Sequence, residues 1–191
     1  KGLSFDGSSN FITFGDVLDI GTEDLTMTIW CKLDAMTGSF DGIIGKSIAG
    51  PALGRYAIFR EGPTITSIIQ VNGGTELAGT QYASTDFNSL TMVYKRGQGT
   101  YFYINGKLYA ATVNTTASNL NTSGYFFIGS YGNQFGDNVY LDSHTKMIFG
   151  EAFTYNTAFS QNNTGSTISN TFTGISGVIT NVTCNVQINQ N

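Results

Sequence analysis

The chain has 191 residues, of which 40% are hydrophobic, 13% aromatic and 12% charged, and its formal net charge is −4. A chain of this size can form one all-β domain with a full core, whereas so few cations exclude a basic surface for nucleic acid. No run of 18 apolar residues is present and no signal-peptide pattern opens the sequence, so no membrane span is expected. Because the chain begins at Lys1 rather than Met, we expect a processed product or a piece of a longer protein.

Short segments with strand character follow one another along the chain, each bounded by turn residues such as Asp6-Gly7 and Arg96-Gly97. The predicted strands lie, in chain order, around residue 5 and at 11–14, 25–33, 42–46, 56–60, 65–71, 90–95, 101–104, 107–112, 125–129 and 147–155. No window keeps a helical period, and 24 Gly with many short strands are typical of a β-sandwich or jelly roll. The sequence therefore predicts an all-β fold of two antiparallel sheets.

The segment 100–110 gives the strongest hairpin signal. Two runs of aromatic and aliphatic residues flank Asn105-Gly106, a dipeptide that tolerates the positive φ angles of a two-residue type I′ turn. We therefore predict a tight antiparallel hairpin that turns at these two residues.

Alternate residues of the predicted strand 25–33 share a face. The face that we assign to the core consists of Leu25, Met27, Ile29, Cys31 and Leu33. Trp30 lies on the other face among polar residues, where it can stack on a sugar ring or lie under a neighbouring loop; we expect it to be covered. Cys31 and the distant Cys184 are expected to be free thiols, since one pair in a chain of this length is not a disulfide framework.

Beyond residue 160 the sequence becomes rich in Asn, Thr, Ser and Gly. We place a domain at 1–161 and a C-terminal tail at 162–191, which keeps strand character through a partial alternation of Ile and Val between 175 and 188. A single strand cannot form a core. The tail is therefore expected to add to the sandwich, to pair with other copies in a homo-oligomer such as a trimer, or to lead into another domain.

Three blocks of the sequence resemble laminin-G-like jelly-roll domains of the concanavalin A-like lectin/glucanase superfamily. The opening strands of that family resemble GLSFDGSSNFITFGDVLDIGTEDLTMTIWCKLD, its hairpin resembles TMVYKRGQGTYFYINGKLYA, and its closing strand resembles KMIFGEAFTYNTAFSQ. The matching positions include Leu3, Phe5, Asp6, Gly7, Phe11, Leu25, Trp30, Lys32, Tyr94, Tyr103, Asn105, Gly106, Lys107, Gly150, Glu151, Tyr155, Asn156, Ala158, Phe159 and Ser160. The resemblance covers residues 1–161 and implies an antiparallel two-sheet jelly-roll sandwich.

The sequence does not support catalysis. Laminarinase-type glycosidases resemble this fold and carry Glu-x-Asp-x-x-Glu on one strand, because glycoside hydrolysis needs two carboxyl groups close together. The glutamates of this chain are scattered without that spacing, and they are Glu23, Glu61, Glu76 and Glu151. The single histidine, His144, has no Ser or Cys in a recognisable catalytic arrangement. We therefore expect that the protein is not an enzyme.

Calcium is the cofactor that the resemblance implies, because many concanavalin A-like domains hold an ion through loop carboxylates and backbone oxygens. The first candidate ligands are Asp6 and Asn10, and the second are Asp137 and Asn138, which precede the closing strand. Asp-Gly is also a common turn pair, so the Asp6 carboxylate can instead cap backbone amides. Both interpretations of this turn stay open.

The loop 129–138, with the sequence GSYGNQFGDN, places aromatic rings beside Asn, Gln and Asp. These residue types supply a stacking surface and hydrogen-bond partners for hydroxyl groups. We therefore assign glycan binding to Tyr131, Asn133, Gln134, Phe135 and Asp137.

The composition and the resemblance together predict a non-catalytic carbohydrate-binding or attachment domain of a larger surface, fibre or virion protein. Low charge, abundant Asn, Thr, Ser and Gly, and the tail resemble phage and viral attachment proteins, so we expect an extracellular or virion-surface location. The alternative is a structural module that decorates an assembly and contacts only protein.

Overall fold

The computed structural model describes residues 2–35, 40–46, 55–71, 74–113, 119–130 and 144–155. The strands within these ranges are β1 (Leu3–Asp6), β2 (Ile12–Thr13), β3 (Leu25–Leu33), β4 (Phe40–Lys46), β5 (Arg55–Glu61), β6 (Thr64–Val71), β7 (Gly74–Gln81), β8 (Phe87–Lys95), β9 (Gly99–Ile104), β10 (Lys107–Val113), β11 (Phe126–Ile128) and β12 (Lys146–Tyr155). No helix occurs in these ranges, and accordingly none there is long and apolar enough to cross a bilayer.

The described strands form two six-stranded sheets. The first sheet has the order β1-β12-β3-β8-β9-β10, and the second has the order β2-β11-β4-β5-β6-β7. Neighbouring strands are antiparallel throughout both sheets. The predicted two-sheet jelly-roll sandwich is therefore confirmed.

The core lies between the sheets, and the alternation predicted for β3 is confirmed there. Leu25, Met27, Ile29 and Cys31 are fully buried and Leu33 is almost so, in one apolar cluster with side chains of both sheets. Full burial of side chains of this size contributes roughly 1.5–3 kcal/mol each. Cys31 has a free thiol, and burial raises its pKa to about 12. The thiol therefore stays protonated and packs as a small apolar group.

The predicted hairpin between β9 and β10 is also confirmed. Asn105 and Gly106 have φ angles of 51° and 78°, so both occupy the left-handed region that a type I′ turn requires. The Asn105 side chain fixes the turn against β8, because its Oδ1 accepts the N–H of Ser89 at 2.9 Å and its Nδ2 donates to Oδ1 of Asn88 at 2.7 Å. These contacts hold the hairpin against the middle of the first sheet.

The edge strand β7 is an element that the sequence pattern does not predict. Its sequence, GTELAGTQ, has little apolar character, yet it pairs with β6 in unbroken register. Close packing explains Gly79, because a Cβ at this position would lie 2.5 Å from Oγ1 of Thr66. Backbone hydrogen bonds to β6, rather than a run of apolar side chains, define this strand.

Two buried cations of the second sheet are held by ion pairs. Lys46, at the end of β4, is fully buried, and its Nζ lies 2.6 Å from Oδ1 of Asp16 and 2.7 Å from Oδ1 of Asp19, on the segment between β2 and β3. Arg60 of β5 pairs with Asp41 of β4, whose side chain is fully buried. The carboxylates compensate charges whose burial would otherwise be strongly unfavourable.

Some sequence predictions fall outside the described residues. They concern the boundary between 1–161 and 162–191, the tail with its pairing between copies, and Cys184. These stay predictions.

Candidate functional site

The outer face of the first sheet, opposite the core, carries an unusual number of aromatic side chains. Because the odd-numbered residues of β3 enter the core, Thr28 and Trp30 project from the opposite side of the sheet. Cross-strand partners share a face, so the register places Ser89 and Thr91 of β8 beside them. The surface, called the aromatic face below, consists of Thr28, Trp30, Phe87, Ser89, Thr91, Tyr101, Tyr103, Phe153 and Tyr155.

Trp30 and Phe87 form one end of the aromatic face. Their side chains are 42% and 40% exposed, and their rings are nearly parallel, at 13°, with centroids 6.4 Å apart. Gly150, in the bulge of β12, leaves room for the indole, because a Cβ there would lie 2.9 Å from Cδ1 of Trp30. The expectation that Trp30 is covered is wrong: the indole has neighbours on both adjacent strands and remains open to solvent.

Four further rings border the rest of the aromatic face, and all are half-buried. Phe153 and Tyr155 of β12 stack with centroids 6.5 Å apart at 21°. Tyr101 and Tyr103 project from β9, on the other side of the central threonines. Burial, and secondarily the neighbouring Tyr101, raises the pKa of Tyr103. Its hydroxyl is therefore protonated at neutral pH and can donate a hydrogen bond.

Hydroxyl groups occupy the centre of the aromatic face. Thr28 and Thr91 are cross-strand partners whose Oγ1 atoms lie 2.9 Å apart. The same row continues to Phe153 on one side and to Tyr103 on the other. Since this row crosses four adjacent strands, three strand spacings of roughly 14 Å separate its two ends. Aromatic rings therefore border a central strip of hydroxyls on both sides.

The turn after β1 contains the first predicted calcium ligands. Oδ1 of Asp6 accepts the backbone N–H groups of Ser8, Ser9 and Asn10 at 2.8, 2.9 and 3.1 Å, and its Oδ2 accepts the hydroxyl of Ser9. Oδ1 of Asn10 in turn accepts the N–H of Asp6. The backbone hydrogen bonds, that of Ser9 first, lower the pKa of Asp6. The carboxylate therefore caps this turn.

This arrangement fits a calcium ion poorly, because calcium takes about six to eight oxygen ligands. The side-chain oxygens of Asp6 and Asn10 instead face the N–H groups of their own turn. Within the described ranges, no group of three His, Cys, Asp or Glu could hold a metal ion. Asp137 and Asn138 lie outside those ranges, so calcium binding stays a prediction.

Asp6→Asn should lower the melting temperature at neutral pH, because a neutral amide replaces the charged acceptor of three backbone N–H groups. The folded-state pKa of Asp6 lies below the ordinary value of 3.8, so the stabilisation is present above that value and fades as the pH falls through the folded pKa. Thermal unfolding of both proteins from about pH 5 to about pH 2 should show the difference shrinking. An unchanged difference in acid would contradict a role for the ionised carboxylate.

The residues assigned to glycan binding in the loop 129–138 lie outside the described residues. This applies to Tyr131, Asn133, Gln134, Phe135 and Asp137, so their role stays a prediction. The aromatic face is a different surface, and Trp30 is the residue on it for which the sequence suggested a sugar contact. Its signal was the spacing of aromatic and hydroxyl residues at every second position of neighbouring strands.

The described glutamate side chains do not form a glycosidase-like pair. Glu23, Glu61 and Glu151 are exposed and lie on separate elements, before β3, at the end of β5 and in β12. His144 is buried, and its ring packs against Phe11 with centroids 5.7 Å apart. This contact gives the His144 ring a packing role.

Comparison with known proteins defines the family to which this two-sheet sandwich belongs. A laminin-G family profile, described as the concanavalin A-like lectin/glucanases superfamily, matches residues 6–162. The chain belongs to this superfamily, as the sequence resemblance implies. A search of curated protein sequences gives no match.

Solved structures share the fold at low sequence identity. The heptameric SAP-like pentraxin from Limulus polyphemus is 15% identical, with a TM-score of 0.63 over 83% of this chain and 76% of that chain. The CBM40 of the Ruminococcus gnavus IT-sialidase is 11% identical, with a TM-score of 0.62 over 84% of this chain and 92% of that chain. The NanB sialidase of Streptococcus pneumoniae is 17% identical, with a TM-score of 0.62 over 83% of this chain, which matches only 26% of NanB.

Proposed function

We propose that this domain is a non-catalytic carbohydrate-binding module and that its glycan lies on the aromatic face. The single observation that supports this most strongly is the central strip of Thr28 and Thr91 hydroxyls, which the half-buried rings of Phe153 and Tyr103 flank and which lies beside the exposed Trp30–Phe87 pair. A sugar has apolar C–H faces, which pack on aromatic rings, and hydroxyl groups, which pair with threonine and tyrosine hydroxyls. The face presents both partners within one surface.

The lectin-like family and its neighbours support the same function. The CBM40 of the R. gnavus sialidase has been solved bound to alpha2,3 sialyllactose. For this chain, the separation of the described glutamates supports binding without hydrolysis. We further propose that the domain acts in attachment, as part of a larger extracellular, fibre or virion protein, which the low charge and Asn/Thr-rich sequence support.

Phe87→Ala should weaken glycan binding by about tenfold, or about 1.4 kcal/mol, because it removes one ring of the Trp30 pair. Isothermal titration calorimetry of the full chain, with the best ligand from a glycan array, measures this change. Phe14→Ala is the matched control: Phe14 is 39% exposed and packs edge-on against Phe126, but it follows β2 in the other sheet.

The control variant should bind as the unaltered chain does. Absence of any glycan ligand on the array would contradict the proposed function. Equal losses of affinity in the Phe87 and Phe14 variants would contradict the proposed face.

A second candidate function, assembly through protein contacts alone, is favoured by the edge strand β10. Leu108, Tyr109 and Val113 are 37%, 47% and 86% exposed, and such an edge can pair with another copy. Lys107 and the bulge after Leu108 are features that limit edge pairing, so glycan binding is the better supported function. Light scattering tests assembly: an oligomer that Val113→Asp dissociates, without glycan binding, would favour it.

A further inference from the structure

We infer that the aromatic face binds an uncharged oligosaccharide and discriminates against sialylated glycans. This inference rests on the proposed function and adds the class of ligand. It separates this chain from a similar structure, the CBM40 solved with alpha2,3 sialyllactose.

The sequence has only nine Lys and Arg residues, and four of them are engaged elsewhere. Lys46 and Arg60 are buried in their ion pairs. Arg96 donates from Nη2 to a backbone carbonyl at 3.0 Å, and Nζ of Lys146 lies 3.2 Å from a carboxylate of Asp34. Lys46, Arg60 and Arg96 are therefore committed to structural contacts, whereas Lys146 forms an exposed surface pair.

Among the described residues, the four remaining cations lie outside the central strip of hydroxyls. Lys1 is not among the described residues, and Arg55 belongs to β5 of the other sheet. Lys107 lies two strand spacings, roughly 10 Å, from Leu90 of β8, and its ammonium stands over the Tyr109 ring of the hairpin. Lys32 and Lys95 are at opposite ends of the outer surface, on β3 and β8. Neither strand brings a cation into the centre of the aromatic face.

The distance from the central threonines to Lys32 and Lys95 determines how strongly these lysines can attract an acidic ligand. Lys32 is four residues from Thr28, and Lys95 is four residues from Thr91, which corresponds to roughly 13 Å of strand in each case. The screening length at physiological ionic strength is about 8 Å. The carboxylate of an acidic sugar bound at the central hydroxyls would therefore gain little attraction from a lysine whose backbone is this far away. The cost of removing that carboxylate from water would remain.

Within the described ranges, the aromatic face also carries a negative charge beside Trp30. Glu151 is exposed and is the cross-strand partner of Trp30, so its carboxylate projects from the same face of the sheet. Together with the net charge of −4, this carboxylate repels an acidic sugar. A neutral sugar avoids the repulsion and can still pack on the rings and pair with the hydroxyls.

The chain provides its own reporter for the test, because Trp30 is its single tryptophan. Intrinsic tryptophan fluorescence therefore reports on the environment of Trp30, on the aromatic face. Calorimetry, in contrast, reports binding at any site. The combination separates failure of the inference from failure of the proposed function.

The experiment titrates the full chain with cellohexaose, laminarihexaose, xylohexaose, lactose and alpha2,3 sialyllactose, and follows Trp30 emission and heat. We expect a saturable emission change with at least one neutral probe, at an affinity at least about tenfold higher than for sialyllactose. Raising the salt from about 50 to about 500 mM should leave the neutral affinity nearly unchanged, since no ionic contact is screened. Lactose is the matched control for sialyllactose, from which it differs by the acidic sugar alone.

Three results would overturn the inference. Saturable binding of sialyllactose that is tighter than that of lactose and weakens with salt would show an acidic ligand, while leaving the proposed function intact. Heat of binding without any change in Trp30 emission would place the ligand on another surface. No heat with any probe, and none with the ligands of a broad glycan array, would contradict the proposed function itself.

Discussion

Asp41→Ala should lower the free energy of unfolding by about 3–5 kcal/mol, because it leaves the Arg60 guanidinium buried without its carboxylate. Arg60 has one further contact, a hydrogen bond from Nη1 to the carbonyl oxygen of Asp34 at 2.7 Å, which cannot neutralise the charge. Denaturation with urea measures the change.

The double variant Asp41→Leu with Arg60→Met provides the control for this pair. Replacing both partners removes the buried charge together with its counter-charge, so the double variant should lose less stability than Asp41→Ala. A loss below about 1 kcal/mol for Asp41→Ala would show that water reaches Arg60 and that the pair is not isolated from solvent.

Asp16→Asn combined with Asp19→Asn should be destabilising by about 3–5 kcal/mol, because both charged partners of the fully buried Lys46 are removed. Lys46→Met should cost less, since Asp16 and Asp19 are 47% and 43% exposed and water can solvate them when the ammonium is gone. Both changes break the same ion pairs. The double Asn variant leaves the buried Lys46 ammonium unpaired, whereas Lys46→Met leaves the two partly exposed carboxylates unpaired.

Urea denaturation of the Lys46→Met variant and of the double Asn variant, under identical conditions, checks this order. An equal loss in both would mean that Lys46 is as well solvated as the two carboxylates. A larger loss for Lys46→Met would contradict the assignment of Lys46 as the buried partner.

The core was predictable because its signal is local. The period of two in β3 assigns Leu25 through Leu33 to alternate faces, and Asn105-Gly106 fixes the register of one hairpin. Both features are determined by neighbours in sequence. The family resemblance then supplies the order in which such strands are combined.

The aromatic face was not predictable in the same way. The sequence pattern starts a strand at residue 90, whereas β8 starts at Phe87. The side chain of Asn88 stabilises this extension, donating to the hydroxyl oxygens of Tyr82 and Ser84 at 3.0 Å and accepting from Asn105 at 2.7 Å. Only with this extension does Phe87 reach Trp30, and no local pattern encodes contacts among residues this far apart.

The buried ion pairs were missed for a related reason. Asp41 and Arg60 meet because β4 and β5 pair in one register, and Lys46 meets the segment between β2 and β3 only in the folded sheet. A charged residue within an apolar strand gives no indication of its partner. Charge pairing across strands depends on the register between two strands, and the residue pattern of a single strand does not determine that register.

The most direct test of glycan binding on the aromatic face is an NMR titration of the ¹⁵N-labelled chain with its best neutral oligosaccharide. Trp30 gives the single indole N–H signal of this protein, so it can be followed without ambiguity. We predict that this signal and the amides of Thr28 and Thr91 shift most. An unmoved Trp30 signal with the largest shifts between 131 and 137 would contradict this account and place the ligand on the loop.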